Sequence, residues 1–303
     1  MMKVSKVIIF CEGDANSPDS LLLNQIFLGE EHKPSIQGGA GKFGLTNFAA
    51  GYLLTTPAKK QKYIMFRDRD FDIQPSPEPK LLQLNRPKSL FLTHRACMEN
   101  YFLNADFIHN YWEYKYQEKQ NNPSSKWGHG DSPGVEEITD WIESAAKSLK
   151  DYQAVRWALG NISKSAARKQ LKTTWTKGSG ELPESLTLSD CHEEALKLIE
   201  DFREVASPVN QENFQHKLNE YQTQFEEDKF WTEKQYLIWF QGKDIFREMY
   251  KQMQRQGHNY LSLWKLVRNR EAIANLDITQ HPDLMELKTK LREIRARSPE
   301  KTT

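Results

Sequence analysis

The stretches VIIFCEG at residues 7–13 and KYIMFRDRD at residues 62–70 are both short apolar runs that are followed directly by acidic residues. Apolar runs of this length, rich in β-branched and aromatic residues, are typical of buried strands. SLLLNQIFL (20–28) and LTNFAAGYLL (45–54) lie between them with helical patterns, and a third strand-like run, SLFLT (89–93), follows. Alternating strands and helices of this kind predict an α/β fold with a parallel, Rossmann-like sheet.

The remainder of the chain is expected to be mostly helical. After residue 105 strand patterns become rare, and amphipathic or polar helices are predicted over 133–150, 188–205 and 212–230. We therefore predict three parts, which are an α/β core over 1–105, a helical insertion or second lobe over 106–232, and a helical C-terminal segment over 233–303.

The composition favours a folded protein of a reducing compartment. Of the 303 residues, 38% are apolar and 11% are aromatic, which is enough to build a hydrophobic core. No window approaches the roughly 18 consecutive apolar residues of a membrane span, and the N-terminal apolar run ends at Glu12 instead of continuing into a signal-peptide cleavage site. The three cysteines include no C-x-x-C pair, which argues against a zinc ribbon and a disulfide framework. We expect a cytoplasmic protein without membrane association.

Acidic residues follow two of the predicted strands directly. Glu12 comes after the first strand, and Asp68 and Asp70 come after the second. In open α/β sheets function gathers at the carboxyl ends of strands, and side chains two apart share a face where the strand stays extended. Three carboxylates so close together repel one another unless a hard divalent cation neutralises them. The pattern predicts a Mg²⁺ or Mn²⁺ site suited to phosphodiester cleavage, and the alternative is a surface turn in which the aspartates pair with Arg67 and Arg69.

The glycine-rich stretch GGAGKFG (38–44) has a superficial likeness to a phosphate-binding loop. A P-loop would need glycine at position 36 and serine or threonine at position 43, where this chain has Ile36 and Phe43. We interpret the stretch as a tight turn that leads into a helix.

A basic segment precedes an acidic one in the middle of the chain. Residues 152–180 contain no acid, whereas residues 181–204 are rich in acids. Basic side chains along a helix neutralise phosphates, and nearby Trp157 and Trp175 could stack on unpaired bases. The predicted nucleic-acid contacts are Lys164, Arg168, Lys169 and Lys172. The alternatives are an ordinary solvated helix and a face that docks on the acidic segment.

The order of these motifs resembles a known family. A strand with Glu12-Gly13, a helix, and a strand ending in Asp68-Arg69-Asp70 look like the TOPRIM fold of topoisomerases, primases and OLD-family nucleases. ACMENYFL with Glu99, and GKDIF with Lys243, resemble the OLD/TOPRIM-like proteins of bacterial defence loci, including the nuclease effectors of PARIS anti-phage systems. The resemblance spans about residues 5–105 and, beyond them, only Gly242-Lys243.

The resemblance implies a metal-dependent nuclease, which would act as a toxin-like effector in anti-phage defence. It implies RNA, tRNA included, or DNA as the substrate, an ABC-type ATPase as the restraining partner, and a homodimer. The catalytic residues would be Glu12, Asp68, Asp70 and Lys243, and the ligands of Mg²⁺ or Mn²⁺ would be Glu12, Asp19, Asp68, Asp70 and Glu99. No nucleophilic-tyrosine domain or zinc ribbon is evident, which disfavours a topoisomerase or a primase.

Three alternatives stay open at this point. In the relatives an acid follows the E-G pair within a few residues and caps the next helix. Here Asp19 could take this position, unless Asp14 does. Glu99 could instead form a helical ion pair with Arg95, four residues earlier. The chain could also be a non-catalytic TOPRIM module that binds an ATPase or nucleic acid.

Overall fold

The computed structural model describes residues 7–39, 41–55, 61–84, 89–163, 187–255 and 269–296, with the single residues 87, 175, 184, 185 and 266. They contain a five-stranded sheet in the order β2-β1-β3-β5-β4. Neighbouring strands run parallel, except that β4 is antiparallel to β5. The strands are β1 (Ile8–Cys11), β2 (Ser35–Gly38), β3 (Tyr63–Arg67), β4 (Leu82–Gln83) and β5 (Leu90–Leu92).

Helices account for much of the rest of the described chain. Two of them, α1 (Pro18–Ile26) and α2 (Gly41–Thr55), connect strands, and a 3₁₀ helix (Met98–Phe102) follows β5. The later helices are α3 (Ala105–Asn121), α4 (Val135–Ser163), α5 (Leu188–Ala206), α6 (Gln211–Glu226), α7 (Asp228–Thr232), α8 (Tyr236–Trp239), α9 (Gly242–Arg255), α10 (Arg270–Ala274) and α11 (Pro282–Ala296), with a second 3₁₀ helix at Ile278–Gln280. The prediction of an α/β fold with a mainly parallel sheet and a mostly helical remainder is confirmed.

The central strands β1, β3 and β5 are buried on both faces, which explains why each of them is a continuous apolar run. Ile9 and Phe10 point to opposite faces, and neither is exposed. Phe10 packs edge-on against Phe48 and Tyr52 of α2, with ring centroids 5.8 and 5.5 Å apart. Burial of one large apolar side chain contributes roughly 1.5–3 kcal/mol, so this packing fixes α2 on the sheet.

Three local features differ from the sequence analysis. β2 (SIQG) is polar and half-buried and β4 has only two residues, so neither shows an apolar run. Helix α1 is capped by the Ser17 side chain, which accepts a hydrogen bond from the Ser20 amide, and Asp19 therefore lies in the first turn. The strand does not extend through the D-x-D pair, because β3 ends before Asp68, and Asp70 has a left-handed φ of 51°.

Contacts divide the chain into two compact units, which are Met1–Leu149 with Trp231–Thr303, and Lys150–Phe230. The first unit contains the sheet, and it includes α3, which the sequence analysis assigned to the part over 106–232. In the second unit Trp157 and Tyr221 are buried, with ring centroids 5.5 Å apart.

Three further observations concern membrane spans, the cysteines and the aromatic residues near α8. In the part of the chain that the structure describes, no helix combines the length and apolar character that crossing a bilayer requires. The cysteines Cys11, Cys97 and Cys191 form no disulfide. In the aromatic stretch near α8, Tyr236 and Phe240 are buried within the first unit and so belong to the chain's own core.

Candidate metal centre

Side chains from three distant parts of the first unit meet at the carboxyl end of the sheet. Asp68 follows β3, Glu99 lies in the 3₁₀ helix after β5, and Lys243 lies in the first turn of α9. The Nζ atom of Lys243 is 3.3 Å from Asp68 Oδ2 and 3.6 Å from Glu99 Oε2. The carboxylates are 6% and 5% exposed, whereas the lysine side chain is 43% exposed. Withdrawal from water strengthens the attraction between these carboxylates and a cation.

Asp19 adds a third acid to these two. A Cβ atom on Gly13 would come within 2.6 Å of Asp19 Oδ2, so the close approach of the β1 end to α1 requires glycine there. Burial, followed by the charge of Glu99, raises the pKa of Asp19 to about 6. Burial, followed by the charge of Asp19, raises the pKa of Asp68 well above its usual range, although Lys243 opposes this. We call Asp19, Asp68, Glu99 and Lys243 the Lys243 group.

A second group is centred on Lys42, in the first turn of α2. Its Nζ atom is 2.9 Å from Asp70 Oδ2 and 2.8 Å from Asp72 Oδ1, and Arg67 Nη2 is 2.6 Å from Asp72 Oδ2. Gln241 donates a hydrogen bond of 2.7 Å to Asp70 Oδ1. Burial disfavours the charged form of Asp70, but Lys42 outweighs it and lowers the pKa of this carboxyl below its usual value. We call Lys42, Arg67, Asp70 and Asp72 the Lys42 group.

The charges of both groups act on the carboxyl of Glu12. It is half-buried directly after β1, and burial, followed by the charge of Asp70, raises its pKa to about 7. The charge of Asp19 acts in the same direction, whereas Arg67 and Lys42 oppose it. The Oε1 atom of Glu12 is buried and accepts no hydrogen bond from the residues that the structure describes.

A buried cluster within this site could hold a metal ion. Ligand atoms of Asp68, Cys97 and Glu99 lie within 4.8 Å of one another, and all three residues are buried. Like Glu12 Oε1, the Oε2 atom of Glu99 is buried and accepts no hydrogen bond within the described part of the chain. Buried oxygens without donors are rare and costly, and a divalent cation satisfies such atoms. The residues therefore fit a cation.

Asn100 fixes the start of α9 against the 3₁₀ helix. Its Oδ1 atom accepts hydrogen bonds from the backbone amides of Gly242 and Cys97 at 2.9 and 3.0 Å, and its Nδ2 atom donates to the carbonyl of Phe240 at 2.8 Å. A Cβ atom on Gly242 would lie 2.7 Å from the Asn100 amide nitrogen, so only glycine fits this approach. The contact places Lys243 beside the carboxylates.

Arg69 joins the same segments from inside the first unit. Its guanidinium donates to the backbone carbonyls of His94 at 3.1 Å, Ile73 at 2.8 Å and Ile238 at 2.7 Å. These carbonyls come from the segment after β5, the loop after β3 and helix α8. A charged donor that satisfies three backbone acceptors fixes their relative positions.

The structure brings most of the predicted site residues to this edge of the sheet. They are Glu12, Asp19, Asp68, Asp70, Glu99 and Lys243. Asp14, the alternative to Asp19, is exposed, and its carboxylate accepts a hydrogen bond from the Asn16 amide. Arg95, the alternative partner of Glu99, precedes the 3₁₀ helix and donates to the Asn100 carbonyl at 2.6 Å. The predicted nucleic-acid contacts Lys164, Arg168, Lys169 and Lys172 lie outside the described residues.

Sequence reasoning missed several residues of the site. Lys42 belongs to GGAGKFG, whose interpretation as a turn into a helix agrees with the start of α2 at Gly41. Its position after β2 could have been recognised only if that polar strand had been predicted. Cys97 and Asn100 both lie within ACMENYFL, but the approach of Asp68 to Cys97 and of Gly242 to Asn100 leaves no local sequence pattern.

Comparison with known proteins adds no relative, because no protein-family model matches the chain and no curated protein matches it. The resemblance to TOPRIM and OLD-like nucleases rests on the motif residues alone. The function is therefore inferred from the geometry of the site.

Proposed function

We propose that the chain is a divalent-metal-dependent nuclease with a TOPRIM-like core. The observation that carries the proposal is the convergence of five carboxylates at one edge of a parallel sheet, beside Lys42 and Lys243. Metal-dependent phosphodiester cleavage needs acids that hold a cation and positive groups that stabilise charge on the phosphate. The five carboxylates belong to Glu12, Asp19, Asp68, Asp70 and Glu99.

The Lys243 group is the proposed place of the cation. Asp19, Asp68 and Glu99 would hold it, and their oxygen-rich set favours Mg²⁺ or Mn²⁺. When bound, such an ion supplies a Lewis acid that neutralises phosphodiester oxygens and lowers the pKa of water. Asp70, which Lys42 keeps ionised, is proposed to add a further negative charge to the acids at this edge of the sheet.

Glu12 is the proposed proton carrier. A general base works best when its pKa lies near the working pH, and burial raises the pKa of Glu12 to about 7. The ionised carboxylate would accept the proton of the attacking hydroxyl, and the protonated form would return it to the leaving oxygen. Lys243, at 43% side-chain exposure, would donate a hydrogen bond to a non-bridging phosphate oxygen.

The wider proposal follows from the resemblance to OLD/TOPRIM-like defence proteins. It comprises cleavage of RNA, tRNA included, or of DNA, in the cytoplasm of a phage-infected bacterium. It further comprises restraint by an ABC-type ATPase and activity as a homodimer. The proposed phosphate contacts are Lys164, Arg168, Lys169 and Lys172.

A direct test incubates the purified chain with plasmid DNA, single-stranded DNA and total tRNA, in Mg²⁺, Mn²⁺ or EDTA. We expect cleavage of at least one substrate with metal and none in EDTA. Glu99→Gln should abolish cleavage because it removes the charge and keeps the shape. Glu200→Gln, the same change at an exposed glutamate of α5, should cleave like the wild type.

Two outcomes would contradict the proposal. Binding of nucleic acid without cleavage under all conditions would indicate a non-catalytic binding module. Cleavage that persists in EDTA at the wild-type rate would rule out the metal-dependent mechanism, since the acids would then have no cation to hold.

A further inference from the structure

Cys97 lies among charged groups, where a structural thiol is not expected. It is fully buried, and its Sγ atom lies within 4.8 Å of ligand atoms of Asp68 and Glu99. The Sγ–H group donates to Asn100 Oδ1 at 3.0 Å, which holds the sulfur at this position. A buried cysteine usually behaves as a small apolar residue with apolar neighbours, whereas this one faces two carboxylates.

Glu99 supplies an independent indication of a ligand at the same position. Its side chain is 5% exposed, and its buried Oε2 atom accepts no hydrogen bond from the described residues. Among the residues that the structure describes, the nearest cationic atom is Lys243 Nζ at 3.6 Å, beyond hydrogen-bond distance. An oxygen buried in this way is stabilised by a cation that approaches it directly.

We propose that Cys97, Asp68 and Glu99 form a mixed thiolate–carboxylate site for a thiophilic divalent cation, of the class of Zn²⁺, Co²⁺ and Cd²⁺. The inference rests on the proposed metal site and adds a sulfur ligand that the sequence analysis did not contain. Zinc lies about 2.3 Å from thiolate sulfur and about 2.0–2.2 Å from carboxylate oxygen. The three ligand atoms already lie within 4.8 Å of one another, so they need to move only modestly closer to bind it. As the sulfur–metal bond forms, the thiol proton passes to solvent.

The same chemistry separates two classes of cation at one site. Mg²⁺ takes oxygen ligands and gains nothing from sulfur, whereas a thiolate strongly favours the softer ions. Both classes need Asp68 and Glu99, and for both the ammonium of Lys243 has to withdraw from these carboxylates. A thiophilic ion therefore competes with Mg²⁺ or Mn²⁺ and, on the proposed function, inhibits cleavage.

The test titrates the full chain with CdCl₂ in metal-free buffer and records the ultraviolet thiolate-to-cadmium charge-transfer absorption. The wild type should develop this band at one Cd²⁺ per chain. Cys97→Ser should lose it and bind Cd²⁺ at least about 100-fold more weakly, which corresponds to about 2.8 kcal/mol. The matched controls Cys11→Ser and Cys191→Ser should keep the band, because these thiols lie outside the cluster.

A second measurement keeps the proposal falsifiable if Cys97→Ser fails to fold. X-ray absorption of the wild type loaded with one Zn²⁺ should show one sulfur neighbour, and a spectrum with oxygen and nitrogen neighbours alone would overturn the site. A charge-transfer band that persists in folded Cys97→Ser would do the same. Both readouts are made without nucleic acid, so a failed cleavage assay with an intact band would overturn the proposed function only.

Discussion

The Lys243 group and the Lys42 group lie at the same edge of the sheet and use the same kinds of side chain, but their charges balance differently. The Lys243 group has three carboxylates and one ammonium. The Lys42 group sets two carboxylates against an ammonium and a guanidinium. Counted with every group ionised, the first group therefore has an excess of negative charge, whereas the charges of the second group balance.

Asp68 and Asp70 lie two positions apart in the chain, and the different charge balance of their groups shifts their pKa values in opposite directions. Burial and the charge of Asp19 raise the pKa of Asp68. Burial also acts to raise the pKa of Asp70, but the attraction of Lys42 is stronger and lowers this pKa below its usual value. A metal cation is therefore attracted to the Lys243 group, where the protein's own positive charges are too few. The neighbouring Lys42 group, whose charges balance, does not attract one.

The largest effect on cleavage is expected at Glu12, on which the charges of both groups act. Glu12→Gln should lower the single-turnover cleavage rate by roughly 10²–10⁴, the usual contribution of a general base. The fold should survive, since the amide keeps the shape and avoids the burial of a charge, and the melting temperature should stay level or rise. A folded Glu12→Gln protein that cuts at the wild-type rate would remove Glu12 from the mechanism.

The next effect contrasts an acid from each group. Asp68→Asn should weaken Mn²⁺ binding by at least about 100-fold, because a buried charged ligand is lost. Asp72→Asn should change it by less than about threefold, since Asp72 is neutralised by Lys42 and Arg67. Titration calorimetry measures both, with thermal melts to confirm folding. Equal losses in the two variants would show that the groups do not differ in the way proposed.

A smaller effect concerns the lysine that stands where the cation would bind. Lys243→Met should tighten Mn²⁺ binding by about tenfold, because the ammonium no longer competes for Asp68 and Glu99. Lys243→Arg keeps the charge and should bind Mn²⁺ like the wild type. Weaker binding in Lys243→Met would mean that the lysine supports the cation instead of competing with it.

The smallest effect is on stability against pH in EDTA. The pKa of Glu12, about 7 in the folded chain, exceeds the value of about 4.3 expected when unfolded. The folded state therefore binds more protons between these values, and the free energy of unfolding falls as pH rises from about 4 to 7. After allowance for solvent screening we expect about 1 kcal/mol from this half-exposed group.

Urea denaturation at pH 5 and pH 7.5 measures this loss, and Glu12→Gln is the control. The variant should lose less stability than the wild type over the interval. If the two proteins lose the same amount, the raised pKa of Glu12 does not contribute to stability.

The sequence predicted the parts of the site that are local. Apolar runs followed at once by acids placed Glu12, Asp68 and Asp70 at strand ends, because strand position is encoded by adjacent residues. The departure of Asp70 from the strand was not predictable from alternation, since its left-handed φ of 51° occurs within a loop held by Lys42 and Gln241.

The remainder depends on contacts between distant residues. Nothing in ACMENYFL distinguishes Asn100 as a site residue, because its partner is the amide of Gly242, 142 residues later. Lys42 is one lysine among many until Asp70, 28 residues later, pairs with it. Neither partnership leaves a local pattern, so periodicity could not find it.

The hydrogen bonds of Arg69 and Asn100 have a consequence for protein synthesis. Arg69 needs the carbonyl of Ile238, and Asn100 needs Phe240 and Gly242. A nascent chain or a truncated product that ends before these residues deprives Arg69 and Asn100 Nδ2 of acceptors and deprives Asn100 Oδ1 of a donor. It also lacks the lysine beside the acids. On the proposed function, a chain that ends before Lys243 is expected to have no cleavage activity, so the cell would meet that activity only once this C-terminal segment has been made.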